Sequence, residues 1–246
     1  MSSTAKDIRT VSRRRAFSKT DRLTLSAFVG VPLLFHLLLV WIPALLTILL
    51  SFTYWSGISI SRIKWAGLAN YENIFFDTPA FWEAVKNNII WLGWFGLIAT
   101  PIGILLAYQI DRQIRGHKFY ETAYYLPVVL SLAVTGIIWD FLLRPDGFVN
   151  GLMGRDIDNA FSFFGNYDIN IYVILTIASW RHIGYIMLLY LAGLKSVDLA
   201  LREASALDGA TEWQTFKKVV FPSMKPVNII VIVITIIESL RAFDIV

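Results

Sequence analysis

Apolar residues in this chain are gathered into five long runs separated by polar segments. The runs cover residues 25–52, 89–110, 122–143, 171–194 and 228–246. A helix needs about 20 residues to cross a bilayer core of about 30 Å, and each run is close to or above that length. None shows the strict alternation of a transmembrane β-strand. Because a helix satisfies its own backbone hydrogen bonds in hydrocarbon, the pattern predicts an all-α, polytopic membrane bundle with five spans.

The composition agrees with a membrane protein. Of 246 residues, 56% are hydrophobic and only 16% are charged, whereas about a quarter of the residues in a soluble domain are charged. The net charge is +4, but the basic residues lie beside the apolar runs, so we attribute them to membrane topology rather than to nucleic acid. The chain contains no cysteine, which excludes disulfides and thiolate metal sites.

The basic residues also predict the orientation of the spans, because basic loops face the cytoplasm. Those before the first run are Lys6, Arg9, Arg13, Arg14, Arg15, Lys19 and Arg22. We therefore expect the N-terminus and the basic loops 112–118 and 195–225 inside, and the loops 56–86 and 144–170 outside. A cleaved signal peptide is the alternative for the N-terminus, but the first run is too long for its apolar region.

The pattern predicts three parts along the chain. Residues 1–24 form a basic cytoplasmic tail, and 25–84 contain the first span with its outer loop. Residues 85–246 form the transmembrane domain, which includes a long cytoplasmic loop at 195–226. Five spans leave the C-terminus outside without a polar tail, so we expect a sixth span beyond residue 246.

The cytoplasmic loop is predicted to fold as a helix, a turn and a helix. Residues 199–207 are rich in good helix formers, and Gly209 lies two residues further on, where a helix end favours positive φ. Thr211 and Gln214 have the spacing of a capping box that starts a second helix, and Pro222 stops or bends the chain before the last span. Such a hairpin docks a soluble partner, lies on the lipid surface or is a mere connector.

The same loop resembles the EAA loop of ABC-importer permeases. The residues at its motif positions are Glu203, Ala204, Gly209, Ala210, Phe216 and Pro222, with Asp208 before the glycine. Ser205 replaces the second alanine, which is a small-for-small change. The resemblance implies that the hairpin docks on an ATP-binding subunit and transmits its closure to the membrane helices.

Further segments resemble the carbohydrate-uptake branch of that family, which includes maltose and glycerol-phosphate importers. They are the G-L-x-N-Y segment within 65–71, the G-x-x-N segment within 146–152, and Phe243-Asp244. The resemblance implies a type I ABC importer permease in a bacterial inner membrane. It also implies three protein partners: ATP-binding subunits (two of them), a second and different permease subunit, and an extracytoplasmic solute-binding protein.

Nothing in the sequence indicates an enzyme. The phosphate-binding pattern G-x-x-x-x-G-K-[ST] is absent, so we expect a partner subunit to use ATP and Mg²⁺ and this chain to bind no cofactor. The three histidines are His36, His117 and His182, and they are scattered. We therefore predict no metal site.

Polar residues in the last two spans are the candidates for a solute path. Thr235, Glu238, Ser239 and Ala242 are spaced at i, i+3, i+4 and i+7 and so share one predicted helix face. A charge inside a span usually faces protein or a water-filled cavity. Tyr185 and His182 lie in the preceding span, and an aromatic ring with a polar tip suits a sugar. The resemblance implies that this region lines the pathway and favours Tyr185 over His182.

Structural explanations remain open for these residues. Glu238 could pair with Arg241, and Tyr185 could be buried and bonded to another helix. An ion-coupled secondary transporter is a further alternative, although we find no convincing internal repeat, and a membrane scaffold is another. Disaccharides, longer oligosaccharides, polyols and glycerol phosphate all remain possible solutes.

Overall fold

Residues 18–241 are described in the computed structural model. They fall into two compact units with the boundary after Pro79. Helices dominate both units, and the strands described are one short antiparallel pair. Helices α1 (Lys19–Leu50), α3 (Pro79–Asp111) and α7 (Asn170–Ser196) are long and apolar enough to cross a membrane alone. Two bent helix pairs raise the number of candidate spans to five, which confirms an all-α polytopic fold.

The first unit contains α1 and the segment that resembles the G-L-x-N-Y pattern. Helix α1 starts at a Ser18 capping box and has a π-helical stretch at Leu37–Trp41. Strands β1 (Thr53–Tyr54) and β2 (Lys64–Trp65) pair antiparallel, with a 3₁₀ turn at Ile60–Arg62 between them. Helix α2 (Ala69–Glu72) continues as a π-helical stretch at Asn73–Asp77.

The asparagine and tyrosine of that pattern tie the start of α2 to the end of α1. The Asn70 amide donates to the backbone oxygens of Ser51 (2.8 Å) and Thr53 (3.0 Å). The Tyr71 hydroxyl lies 2.6 Å from the Ser51 hydroxyl. The Asn70 bonds satisfy backbone oxygens at and just beyond the helix end, and the Tyr71 bond joins two side chains, so both residues have a structural role.

The second unit is built on α3 and α7. Helix α3 includes a π-helical stretch at Phe95–Ala99. Its C-terminal half packs on α7 through buried Ala107, Ile110, Ile186 and Met187. A Cβ on Gly184 would lie 2.2 Å from the Tyr124 carbonyl oxygen. Small residues of this kind let membrane helices approach closely.

The third predicted span is not one continuous helix. It consists of α4 (His117–Val129) and α5 (Leu132–Leu143). The bent pair that contains them, His117–Val129 with Leu132–Leu152, bends by 104°. Leu130 is extended, and the Ser131 hydroxyl accepts a hydrogen bond from the Val134 N–H. Ser131 therefore starts a new helix inside the apolar run, and the expectation of an unbroken span over 122–143 is corrected.

The segment after α5 is organised around a buried asparagine. It contains α6 (Phe148–Leu152) and a 3₁₀ turn at Ile157–Asn159. Asn150 is fully buried; its amide group donates to the oxygens of Arg144 and Phe161, and its oxygen accepts from the Phe161 N–H. A Cβ at Gly147 would lie 2.7 Å from the Leu142 oxygen. These two constraints explain the glycine and asparagine of the G-x-x-N segment.

The chain then forms α8 (Leu199–Leu207), α9 (Glu212–Ser223) and α10 (Lys225–Leu240). Helix α9 contains a π-helical stretch at Phe216–Val220, and α9 and α10 are bent by 78°. The bend falls at Met224, just after Pro222. Ala242, Phe243 and Asp244 lie outside the described residues.

Candidate solute cavity and coupling hairpin

The hairpin of α8 and α9 forms as its sequence predicts. Gly209 adopts φ +78°, and the N–H groups of Gly209 and Ala210 donate to the oxygens of Ala206 and Ser205. The Thr211 N–H donates to the Gln214 side chain (2.8 Å), and the Gln214 N–H donates to the Thr211 hydroxyl (3.3 Å). The glycine turn and the predicted capping box are therefore confirmed.

Ser205, the departure from the EAA pattern, has a contact that alanine could not make. Its hydroxyl lies 2.9 Å from the hydroxyl of Thr215, and it also donates to the Arg202 oxygen (2.8 Å). The residue is buried at 7% exposure. The hydroxyl thus bonds α8 to α9 across the hairpin.

The predicted coupling residues divide into an outer group and an inner group. Glu203, Ala204, Asp208, Gly209 and Pro222 are exposed. Ser205 and Phe216 are buried, and Ala210 is half-buried. Phe216 packs against Tyr108 of α3 with ring centroids 4.7 Å apart. The hairpin therefore has one face against the bundle and one face open.

A cavity of about 860 Å³ lies among α3, α4, α5, α7 and α10, all within the second unit. Its wall is mostly apolar and aromatic, with three charged side chains: Asp140, Arg181 and Glu238. Across residues 18–241 no salt bridge involves any of the three. The cavity wall therefore carries three charged side chains that have no salt-bridge partner among the described residues.

Three of the five predicted solute-path residues line this cavity: His182, Tyr185 and Glu238. The His182 ring stacks on Phe95, with centroids 4.3 Å apart and planes 20° apart. His182 is 5% exposed and Tyr185 is 36% exposed. Tyr185 is accordingly the more open of the two aromatic side chains.

Thr235 and Ser239 do not line the cavity. Thr235 is buried, and its hydroxyl lies 3.3 Å from the Thr100 hydroxyl on α3. Ser239 is fully buried and donates to the Thr235 oxygen (2.7 Å). The cavity face of α10 is Ile234, Ile237 and Glu238. The predicted polar stripe is therefore divided: its hydroxyls serve helix packing, and its carboxylate faces the cavity.

Sequence reasoning missed Asp140 and Arg181 as cavity residues. Both are charges inside predicted spans, and such charges usually face a cavity or a protein interior, so the signal was available. Trp139 also lines the cavity, and its ring meets Trp180 edge-on at 5.7 Å. Asp140 and Trp139 reach the wall through α5, whose direction is set by the break at Ser131.

Comparison with known proteins supports the same picture. Residues 99–246 match the family described as the binding-protein-dependent transport system inner membrane component. The chain belongs to this family. It is 32% identical over 221 residues to the probable starch degradation products transport system permease protein AmyD of Thermoanaerobacterium thermosulfurigenes, covering 88% of this chain and 73% of that protein. A probable ABC transporter permease of Pyrococcus horikoshii is 31% identical, over 89% of this chain and 73% of its own length.

A solved structure shares the fold. It is a bacterial ABC transporter involved in the import of the acidic polysaccharide alginate, with a TM-score of 0.75 and 24% identity over 92% of this chain and 76% of that chain. By its family and its candidate spans, the chain is a multi-pass inner-membrane permease component of a binding-protein-dependent transport system, and its family is one of transport proteins rather than enzymes.

Proposed function

We propose that this permease is one of two different membrane subunits of an ATP-driven importer, and that its solute is a sugar or a sugar-like compound. The observation that carries the proposal is that one chain combines a cavity on α7 and α10 with an exposed helical hairpin. An ion-coupled secondary transporter, the alternative, would leave the hairpin without a role.

The cavity wall suits a sugar. Sugars present apolar C–H faces and a rim of hydroxyl groups, which match aromatic rings combined with a few polar side chains. Tyr185 and Trp139 supply the rings, and Glu238 supplies an acceptor. Relatives named for starch products, xylose and arabinose, and lactose support this solute class.

The charges on the wall favour an uncharged solute. Asp140 and Glu238 carry two negative charges against the one positive charge of Arg181. An anionic solute would meet net repulsion from this half of the pathway, and charges act strongly where water is excluded.

Coupling to ATP is proposed to occur at the open face of the hairpin. Leu207 is 90% exposed beside the exposed Glu203 and Asp208. Leu199, Leu201 and Trp213 of the same hairpin are exposed as well, and several exposed apolar side chains on one element, rather than a single one, favour a docking surface. Two ATP-binding subunits would bind ATP and Mg²⁺ and grip one hairpin each.

The remaining partners are inferred from the proposed orientation, with the N-terminus in the cytoplasm. The segment 144–170 then lies outside, where a solute-binding protein would dock. Helix α1 has no buried residue along its apolar window, which fits contact with lipid or with the second permease subunit.

The solute is tested with the transporter purified together with its partner subunits and binding protein. We expect neutral sugars such as maltose, lactose or xylose to stimulate ATP hydrolysis, and glucuronate or glycerol phosphate to do so weakly. Stimulation by ions or amino acids but by no sugar would contradict the proposal.

The orientation is tested separately with single cysteines, since the chain has none of its own. A membrane-impermeant thiol reagent on intact cells should label Asp158→Cys and should not label Lys217→Cys. The reverse result would overturn the topology.

A further inference from the structure

Two neighbouring residues at the cytoplasmic end of α3 form salt bridges of opposite polarity with the hairpin. Asp111 accepts from the Arg202 guanidinium of α8, with Nη1 2.7 Å from Oδ2. Arg112 pairs with Glu212 of α9. One dipeptide therefore contacts both helices of the hairpin, and the alternating charges favour a single register.

Arg202 also reaches the end of a second span. Its Nη2 donates to the backbone oxygen of Leu194 in the last turn of α7 (3.0 Å). The side chains of Asp111 and Arg202 are 13% and 31% exposed, so both charges depend on these partners. A single guanidinium thus joins α3, α7 and α8.

Aromatic packing continues this contact beneath the charges. The Tyr108 ring of α3 meets Trp213 edge-on at 5.5 Å and lies 4.7 Å from Phe216. The Arg112 guanidinium lies over the same Tyr108 ring at 5.7 Å. The hairpin is thereby fastened to α3 over a continuous surface.

These contacts matter because the covalent connection from the hairpin to α10 is bent. Helix α9 meets α10 at 78° around Met224, and a hinge of that kind can absorb motion. The cavity residues Phe95 and Tyr185, in contrast, lie on α3 and α7, which the hairpin contacts directly.

We propose that Asp111, Arg112, Arg202 and Glu212 form an electrostatic clamp, which makes the hairpin and the cytoplasmic ends of α3 and α7 one moving body. Arg202 is its central positioning residue. Closure of the ATP-binding subunits then moves α3 and α7 directly, without relying on the bend at Met224. The proposal rests on the proposed coupling role of the hairpin.

The first test uses the complete transporter in proteoliposomes and compares Arg202→Leu with Arg115→Leu. Arg115 is an exposed arginine of the same cytoplasmic region and serves as the matched control. We expect Arg202→Leu to lower solute-stimulated ATP hydrolysis and uptake tenfold or more, while the control stays within twofold. Arg202→Lys, which keeps the charge but has one donor centre, should recover part of the activity.

A charge exchange separates coupling from folding. The Arg112–Glu212 pair is largely exposed, with side chains 46% and 68% accessible, so its single substitutions should leave the complex folded. We expect Arg112→Glu to reduce the ratio of uptake to ATP hydrolysis, and adding Glu212→Arg to restore it. Failure of the exchange to restore any coupling would contradict the clamp.

The decisive measurement is a distance between spin labels at Gln109→Cys on α3 and Lys218→Cys on α9, both exposed positions. If the hairpin and α3 move as one body, the distance between the labels changes by less than about 2 Å between the resting and vanadate-trapped states. That is the size of helix shifts at packed interfaces. With Arg202→Leu added, the distance distribution should broaden or shift. A larger change in the unsubstituted background overturns the clamp, whereas loss of ATP-dependent trapping there would overturn the proposed function itself.

Discussion

The hairpin of α8 and α9 and the cavity among the helices differ in how their polar side chains are paired. In the hairpin, Arg202 and Glu212 have charged partners on α3, and Ser205 bonds to Thr215. In the cavity, Asp140, Arg181 and Glu238 have no salt bridge within residues 18–241. Two wall nitrogens, His182 Nε2 and Trp139 Nε1, are buried without a hydrogen-bond partner among the described residues.

The difference indicates that the hairpin is organised before any partner binds, whereas the cavity wall keeps polar groups that a ligand or a rearrangement could satisfy. Satisfied polar networks rigidify a structure, as a part that transmits force requires. Unsatisfied buried polar groups cost about 1–3 kcal/mol each, so a wall that carries them gains by meeting a ligand or by rearranging. We infer that the hairpin is the more rigid of the two regions and the cavity the more adaptable.

The largest expected effect is on the rigid part. Glu203→Lys and Gly209→Pro should each abolish solute-stimulated ATP hydrolysis, because one reverses an exposed docking charge and the other cannot adopt φ +78°. Membrane insertion should survive, since neither residue lies in a span. The charge reversal Lys195→Glu, at an exposed position just before the hairpin, is the control and should remain active. Normal hydrolysis in both hairpin variants would remove the docking role.

The second prediction concerns the packing that holds the cavity wall. Gly184→Ala would place a Cβ 2.2 Å from the Tyr124 oxygen, and overpacking of this kind costs about 1–3 kcal/mol. We expect a lower melting temperature and reduced yield of the assembled complex. Gly96→Ala is the control, since its Cβ would meet nothing within 4 Å. Equal stability of the two variants would show that α4 and α7 shift apart enough to accommodate the added methyl group.

The third prediction separates solute contact from helix packing on α10. Glu238→Ala should weaken solute handling about tenfold or more, because losing a hydrogen bond to a charged group costs about 1.5–3 kcal/mol and about 1.4 kcal/mol is a factor of ten. Ser239→Ala should instead lower the melting temperature and leave the solute dependence unchanged. Transport and melting curves of both variants provide the measurement. Normal transport by Glu238→Ala would take this carboxylate out of the pathway.

The smallest expected effect is that of Ser205→Ala, which restores the alanine of the EAA pattern. The loss of its bond to Thr215 should cost about 0.5–1.5 kcal/mol and reduce coupling less than tenfold. Thr215→Val, which removes the other hydroxyl, should give the same result, and the double substitution should add little. Additive effects would mean that the two hydroxyls act independently.

The two regions also differ in how far their sequence predicts them. The hairpin could be predicted from Gly209 and the Thr211–Gln214 spacing because caps and turns depend on neighbouring residues alone. The cavity could not, because its wall depends on the break at Ser131, which an uninterrupted apolar run concealed. Helical spacing predicted one face for Thr235, Glu238 and Ser239, but the structure divides them between helix packing and the cavity. Spacing alone cannot tell which side of a helix meets α3 and which meets the cavity.

The central claim is that closure of the ATP-binding subunits on the hairpin drives solute through the cavity. Uptake into proteoliposomes that contain the whole transporter tests this claim most directly. Labelled sugar is supplied outside with the binding protein, ATP is enclosed or omitted, and ionophores collapse all ion gradients. The account predicts uptake that requires ATP, persists without gradients and falls to background with Glu203→Lys. Uptake that depends on an ion gradient and ignores ATP would contradict it.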